Sequence, residues 1–159
     1  MKTILIAILL SFGKMVLACT CEIPSVTDAT ETADLILIGK VIGSEEFVPD
    51  SKLSVDSITG EYEILWGERG YLVEVVEVFK GATTKKNIWI RQSASPCGSS
   101  LKKGDTFLIF SRNTEKAKSS SGNNISKYYT SPCYRTKTEG HHEFETDLAY
   151  LKNTVPKTK

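Results

Sequence analysis

The triplet Cys19-Thr20-Cys21 has two thiol side chains separated by one residue, and it directly follows Val16-Leu17-Ala18, the end of a predicted leader. If cleavage falls after Ala18, Cys19 becomes the first residue and carries a free α-amine one residue away from a second cysteine. The reference pKa of an α-amine is about 7.7 to 8.0, so a neutral fraction exists near pH 7. The triplet therefore places a potential metal ligand at a fixed chain end.

Residues 1 to 18 read as a secretory signal peptide. Lys2 supplies the positive start, an apolar run extends from Ile4 to Phe12, and small Ala18 precedes the expected cut. The run is shorter than the roughly 20 apolar residues of a membrane span, and Lys14 interrupts it. The sequence predicts a secreted, extracellular protein without an integral membrane segment.

A second interpretation of the same residues stays open. Val16-Leu17-Ala18-Cys19 also resembles a bacterial lipobox, in which the cysteine thiol is diacylglycerated and its amine acylated, although Leu17 is uncommon at its position. This alternative predicts a cell-surface or periplasmic lipoprotein. The two interpretations exclude each other, because an acylated amine has no lone pair to donate to a metal.

The remaining chain, 19-159, has the length of a single domain with its own core. The whole sequence has 20 basic and 19 acidic residues, which gives no electrostatic support for binding nucleic acid or anionic lipid. We expect a monomer that recognises a protein partner by shape.

The four cysteines, Cys19, Cys21, Cys97 and Cys133, all follow the predicted signal. An even number in an exported chain indicates two disulfides. A Cys19–Cys21 bridge would be strained, and the other two pairings remain open. A zinc site made of the four cysteines lacks the paired C-x₂₋₄-C spacing.

The sequence offers no nucleophile with a plausible base, so we expect neither catalysis nor a cofactor. The cysteines are expected in disulfides, and the chain has only two histidines. His141-His142-Glu143 is interpreted as a solvated helix start, because adjacent side chains on a helix diverge.

Short apolar and β-branched runs separated by turn residues predict a mainly β domain. Five strands at this spacing favour a closed barrel, with an OB-type Greek key as the leading candidate. The predicted strands are Leu35–Ile42, Tyr71–Phe79, Asn87–Arg91, Thr106–Phe110 and Lys127–Thr130. The first strand is nearly continuous in apolar character, which predicts burial of both of its faces at one end.

Two helices are expected to flank the barrel, and one long connection is expected to carry contacts. Ser25-Val26-Thr27-Asp28 predicts a capped helix through Ala33. The tail places Phe144, Leu148, Leu151 and Val155 on one helical face that should cover one side of the barrel. The stretch Ser44 to Gly70 either continues the second strand backwards or protrudes as a functional loop.

The chain resembles the N-terminal inhibitory domain of the tissue inhibitors of metalloproteinases, a netrin-like module with an OB fold. The similarity covers most of the chain after the signal. Its matching pieces are Cys19-Thr20-Cys21 with Pro24, Ala33 to Gly43, Val78-Phe79-Lys80-Gly81, Pro96-Cys97-Gly98 and Phe107-Leu108-Ile109.

The resemblance implies a metalloendopeptidase inhibitor with defined site residues. Cys19 would pair with Cys97 and Cys21 with Cys133. The α-amine and carbonyl oxygen of Cys19 would chelate the catalytic zinc of a target protease, and Thr20 would enter its specificity pocket. The other side of the contact surface would be formed by Ser95 and Pro96, with peripheral contacts from the Ser44 to Gly70 loop.

The chain departs from that family at several points. A third disulfide of the inhibitory domain is missing, since Glu22 to Asp34 contains no cysteine, and we expect no separate disulfide-rich C-terminal domain. Glu22 and Ile23 stand where animal inhibitors are more apolar, so the carboxylate could narrow the set of targets. A non-inhibitory netrin-type module that binds a protein or glycan therefore remains an alternative, as does the lipoprotein.

Overall fold

The structure, a computed structural model, describes residues 21–48, 52–55, 62–65, 67–94, 101–118 and 125–156. The predicted signal peptide, 1–18, lies outside these ranges. The elements in chain order are α1 (Val26–Thr32), β1 (Leu35–Val48), β2 (Lys52–Val55), β3 (Tyr62–Leu65), β4 (Glu68–Lys80), β5 (Asn87–Ser93), β6 (Thr106–Lys118), β7 (Ile125–Thr130), a 3₁₀ turn (Pro132–Tyr134), β8 (Lys137–Thr138) and α2 (Phe144–Thr154).

Five of the strands form a closed ring. The strand order is β1-β4-β5-β7-β6, and β6 returns to pair with β1. All of these pairs are antiparallel except β5 with β7, which run parallel with Ile90 opposite Tyr128. The short strand β8 adds to β6, where Phe107 faces Thr138, and β2 and β3 form a separate two-stranded sheet. The prediction of a mainly β, barrel-like domain with flanking helices is confirmed.

Apolar side chains pack on both faces of this sheet, because successive residues of a strand point to opposite sides. One cluster fills the ring, and a second lies between the sheet and the two helices. The first contains Leu35, Leu37, Val41, Tyr71, Val73, Ile88, Ile90, Leu101, Phe107 and Ile109. The second contains Ala29, Ala33, Ile36, Phe79, Leu108, Phe110, Phe144, Leu148 and Leu151.

The start of β1 is buried on both faces, as its continuous apolar run predicts. Leu35 and Leu37 belong to the cluster inside the ring, and Ile36 belongs to the cluster under the helices. All three are fully buried. Burying each such side chain contributes roughly 1.5–3 kcal/mol before entropy is counted, so this segment anchors both clusters.

The two predicted helices form as expected. Ser25 caps α1, since its Oγ accepts a hydrogen bond from the backbone N of Asp28 at 3.1 Å. At the other end of α1, Lys80 Nζ donates to the carbonyl oxygens of Thr30 and Glu31, where a cation complements the helix dipole. The apolar face of α2 covers the sheet through Phe144, Leu148 and Leu151. No helix within the described ranges is long and apolar enough to cross a membrane.

Several strands extend beyond the predicted runs. The β1–β4 pairing continues through polar positions as far as Val48 opposite Glu68, because ladder hydrogen bonds do not require apolar side chains. The stretch from Ser44 to Gly70 therefore continues the second predicted strand backwards, which was one of the two predicted possibilities, and β2 and β3 pair with each other inside the stretch. Its role as a functional loop stays a prediction.

Gly81 ends β4 in a conformation that only glycine adopts without strain. Its φ angle is +82°, and a Cβ atom there would lie 2.5 Å from the backbone oxygen of Asp34. This close approach places the end of β4 directly against the entry to β1.

Candidate functional site

The predicted inhibitory surface is only partly described by the structure. Cys21 lies within the described residues, whereas Cys19, Thr20, Ser95 and Pro96 lie outside them. Cys97 also lies outside, so its pairing with Cys19 stays a prediction.

Cys21 forms a disulfide with Cys133, which confirms one of the two predicted bridges. The two Cα atoms are 5.7 Å apart, across a sequence separation of 112 residues. Cys133 lies in the 3₁₀ turn, and its backbone N donates a hydrogen bond to the Oγ of Ser131 at 3.2 Å. The N-terminal segment is therefore attached to a hydrogen-bonded turn at the end of the last ring strand.

A second attachment holds the same segment three residues later. The Nη1 of Arg135 donates a hydrogen bond to the backbone oxygen of Pro24 at 2.8 Å. Because Arg135 follows Cys133 by two residues, the covalent and the hydrogen-bonded attachments arise from one turn. We call the pair Cys21–Cys133 and Pro24–Arg135 the N-terminal clamp.

The guanidinium of Arg135 is itself oriented by α2. Its Nε and Nη2 donate to the two carboxylate oxygens of Asp147 at 2.7 and 2.8 Å, and Asp147 is fully buried. This hydrogen bonding, opposed by desolvation, raises the pKa of Arg135. A two-point contact of this kind fixes the plane of the guanidinium, so α2 controls the direction of the bond to Pro24.

Two further side chains complete the ionic cluster beside the clamp. Lys137 Nζ contacts Glu143 and lies 3.6 Å from Asp147 Oδ2, and Nη2 of Arg135 donates to Glu143 at 3.3 Å. The hydrogen bond from Lys137 holds the pKa of Glu143 below its ordinary value. The positive charges of two basic side chains therefore offset the negative charges of two carboxylates where β8, α2 and the N-terminal segment meet.

The clamped segment faces solvent. Cys21, Glu22 and Ile23 are exposed, and Ile23 retains 53% of its accessible surface. Ile23 lines a groove of about 690 Å³. The other lining residues are Lys102, Asp105, Phe107, Pro132, Thr136, Lys137, Thr138, His141, His142 and Glu143. A rigidly attached, exposed segment of this kind can present its backbone and side chains to a protein partner.

Sequence reasoning missed Arg135. Its partners lie 111 and 12 positions away along the chain, and no local pattern links these positions. The one unusual local property is a φ angle of +73°, which is rare for a non-glycine residue and is not visible in the sequence.

The structure places His141-His142-Glu143 at the start of α2, as predicted, with Glu143 at the N-cap. All three precede Phe144, the first residue of the helix, so the divergence of neighbouring side chains on a helix does not apply. One potential ligand atom from each residue lies within 4.8 Å of the others.

No protein-family model matches the chain, and no curated protein matches its sequence.

Proposed function

We propose that this protein is a secreted inhibitor of zinc metalloendopeptidases that acts through the free amine and carbonyl oxygen of Cys19. The observation that carries the proposal is the N-terminal clamp. The Cys21–Cys133 disulfide and the Arg135–Pro24 hydrogen bond hold an exposed segment at both ends. Thr20 and Cys19 precede that segment directly.

We also propose that the barrel is an OB fold of the netrin-like type. An OB fold is a five-stranded Greek-key barrel. Its first three strands form a meander, and its fifth strand lies between the third and the fourth. The ring order β1-β4-β5-β7-β6 with one parallel pair, β5 with β7, supports this assignment.

The proposed mechanism needs a neutral amine and a fixed geometry. A catalytic zinc has an open coordination position, where the amine and carbonyl oxygen of Cys19 would displace water. Thr20 would enter the specificity pocket, and Ser95 and Pro96 would contact the other side of the cleft. Attachment at Cys21 restricts the chelating residue before binding, which reduces the entropy lost on association.

Glu22 and Ile23 would form the next contacts with the protease. Both are exposed in the clamped segment, and neither is needed for the barrel core. A carboxylate at Glu22 would favour proteases with a basic rim and disfavour those with an acidic one, since like charges across an interface are repelled.

The test compares oxidised protein that begins at Cys19 with the same protein carrying one additional alanine before Cys19. The extension converts the amine into an amide and displaces it, while the clamp and barrel are unchanged. We expect inhibition of a panel of zinc metalloendopeptidases by the unextended form alone. Circular dichroism of both forms controls for folding.

Other results of this comparison would contradict the proposed mechanism or support one of the alternative functions. Equal inhibition by both forms would contradict chelation by the amine. Absence of inhibition by both forms would favour a non-inhibitory netrin-type module that binds a protein or glycan. An acylated Cys19 on protein from its natural source, with partitioning into detergent, would establish the anchored lipoprotein.

A further inference from the structure

The second chemically distinctive cluster lines the same groove as Ile23 and is formed by His141, His142 and Glu143. Their potential ligand atoms lie within 4.8 Å of one another. The two imidazole rings are close, with centroids 4.4 Å apart and planes inclined by 33°. The turn before α2 therefore gathers two nitrogen ligands and one oxygen ligand on one side of the chain.

These ligand types suit a particular class of metal ion. Imidazole nitrogen together with carboxylate oxygen is a common donor set for Zn²⁺ and its neighbours Cu²⁺ and Ni²⁺, whereas Mg²⁺ and Ca²⁺ prefer oxygen alone. Zinc–ligand bonds are about 2.0–2.2 Å long, so the ligand atoms of a tetrahedral site are about 3.4 Å apart. His142 is exposed, and rotation of its side chain can close the remaining distance.

Glu143 keeps coordination capacity although it already contacts two cations. Lys137 Nζ binds its Oε2, and Nη2 of Arg135 donates to its Oε1. A carboxylate has about four lone-pair positions, so two remain for a metal. The charge of Arg135 is offset by the buried carboxylate of Asp147, which reduces its repulsion of an incoming cation.

Two costs limit the affinity. Lys137 lies close to any ion bound at Glu143 and repels it. The Nδ1 of His141 accepts a hydrogen bond from the backbone N of Glu143 at 3.3 Å. A metal that binds His141 through Nδ1 displaces this bond directly. Binding through the other nitrogen requires the opposite tautomer, which also loses it.

We propose that His141, His142 and Glu143 form a surface site for a divalent transition-metal ion of the zinc type. Water fills the coordination positions that the protein leaves open. This site is separate from Cys19 and does not depend on the proposed inhibition, because its metal is bound by the protein itself.

The test is a titration of Zn²⁺ into protein without a polyhistidine tag, followed by calorimetry and by NMR of the imidazole signals. The chain has only two histidines, so H141A/H142A removes every imidazole. We expect one saturable site in which both histidine signals shift. Each single histidine substitution should weaken binding about 10-fold or more, and H141A/H142A should abolish it.

Three further variants test the role of Glu143. Glu143→Gln should weaken binding because it removes the anionic ligand, and Glu145→Gln, on an exposed position of α2, should leave binding unchanged. Lys137→Met should tighten binding because it removes the competing cation. Thermal unfolding without metal identifies any variant that fails to fold. His142 is exposed, so the variant H142A should fold and should still test the site if another variant does not fold. Absence of saturable binding at millimolar Zn²⁺, or unchanged binding by H141A/H142A, would overturn the proposal.

Discussion

Arg135 donates a hydrogen bond from Nη1 to the backbone oxygen of Pro24 across 111 positions of sequence. It connects the exposed N-terminal segment to α2, because the remaining nitrogens of the same guanidinium bind Asp147 and Glu143. The position of a segment proposed to enter a protease cleft therefore depends on α2, a helix more than 100 residues later in the sequence.

Replacement of Arg135 by alanine should strongly destabilise the protein. The substitution leaves the fully buried carboxylate of Asp147 without its main partner, and breaking a buried ion pair on one side costs about 3–5 kcal/mol. Urea unfolding at pH 7 measures the loss. Arg112→Ala is the matched control, since its guanidinium lies 4.5 Å from the centre of the Tyr134 ring, a surface contact worth about 0.5–1 kcal/mol.

A double-mutant cycle separates the ion pair from other effects of these substitutions. Arg135→Ala combined with Asp147→Ala should cost less than the sum of the two single changes, because the double variant leaves neither charge without its partner. Additive costs would contradict a direct energetic coupling between Arg135 and Asp147.

Removal of the Cys21–Cys133 bridge by substitution of both residues with serine should lower the free energy of unfolding by about 4–5 kcal/mol. The bridge joins two residues at a sequence separation of 112, and in the chain-entropy model the stabilisation grows with loop length. Urea unfolding under non-reducing conditions measures this change.

The same variant tests the second predicted pairing, because it retains Cys19 and Cys97. A thiol reductant should lower its stability further if those two residues are bridged. An unchanged unfolding curve in reductant would contradict the Cys19–Cys97 pairing.

Alanine at Gly81 should destabilise the protein more than alanine at Gly104. Both glycines have positive φ angles, +82° and +100°, so each substitution costs about 1–2 kcal/mol of backbone strain. At Gly81 the new Cβ would also lie 2.5 Å from the backbone oxygen of Asp34, whereas at Gly104 nothing lies within 4 Å. Thermal unfolding of the two variants isolates the steric cost, and equal losses would contradict it.

Glu143 should contribute stability that is lost in acid. Its pKa is lowered from 4.5 in the folded protein, chiefly by the hydrogen bond from Lys137, and Arg135 and His142 also act to lower it. A lowered folded-state pKa means that the contribution is present above the ordinary glutamate pKa and disappears as the pH falls through the lower value. Urea unfolding between neutral pH and pH 3, in the presence of a chelator, should show this loss.

Two substitutions check that assignment. Glu143→Gln removes the titrating group, and Lys137→Met removes the main cause of its shift. Each should flatten the acid part of the stability curve. A steep acid loss that persists in both variants would assign the effect to other carboxylates.

Much of the fold is predictable because the signals are local. The run from Leu35 to Ile42 identifies the first ring strand, and the spacing of Phe144, Leu148 and Leu151 identifies the face of α2. The strand ends are not predictable in this way. Pairing with a neighbouring strand, rather than apolar pattern, extends β1 to Val48 and β6 to Lys118.

The candidate site likewise has one part that the sequence predicts and another part that it does not. The identity of Cys21 indicates a disulfide, and the resemblance supplies its partner, Cys133. The role of Arg135 is set by contacts between residues far apart in sequence, and no local pattern contains them. The sequence places His141-His142-Glu143 at the start of α2, but the proximity of their potential ligand atoms, within 4.8 Å of one another, depends on the backbone of the preceding turn and has no local sequence signal.

The closed ring should also make folding slow. Leu35 pairs with Ser111 and Ile90 with Tyr128, so the seams that complete the barrel join distant parts of the chain. Contacts between residues far apart in sequence form slowly, because closing a large loop costs entropy before the contact contributes favourable energy. The Cα atoms of Cys21 and Cys133 lie 5.7 Å apart in the folded chain, across a separation of 112 residues, so we expect the formation of this bridge to be slow for the same reason.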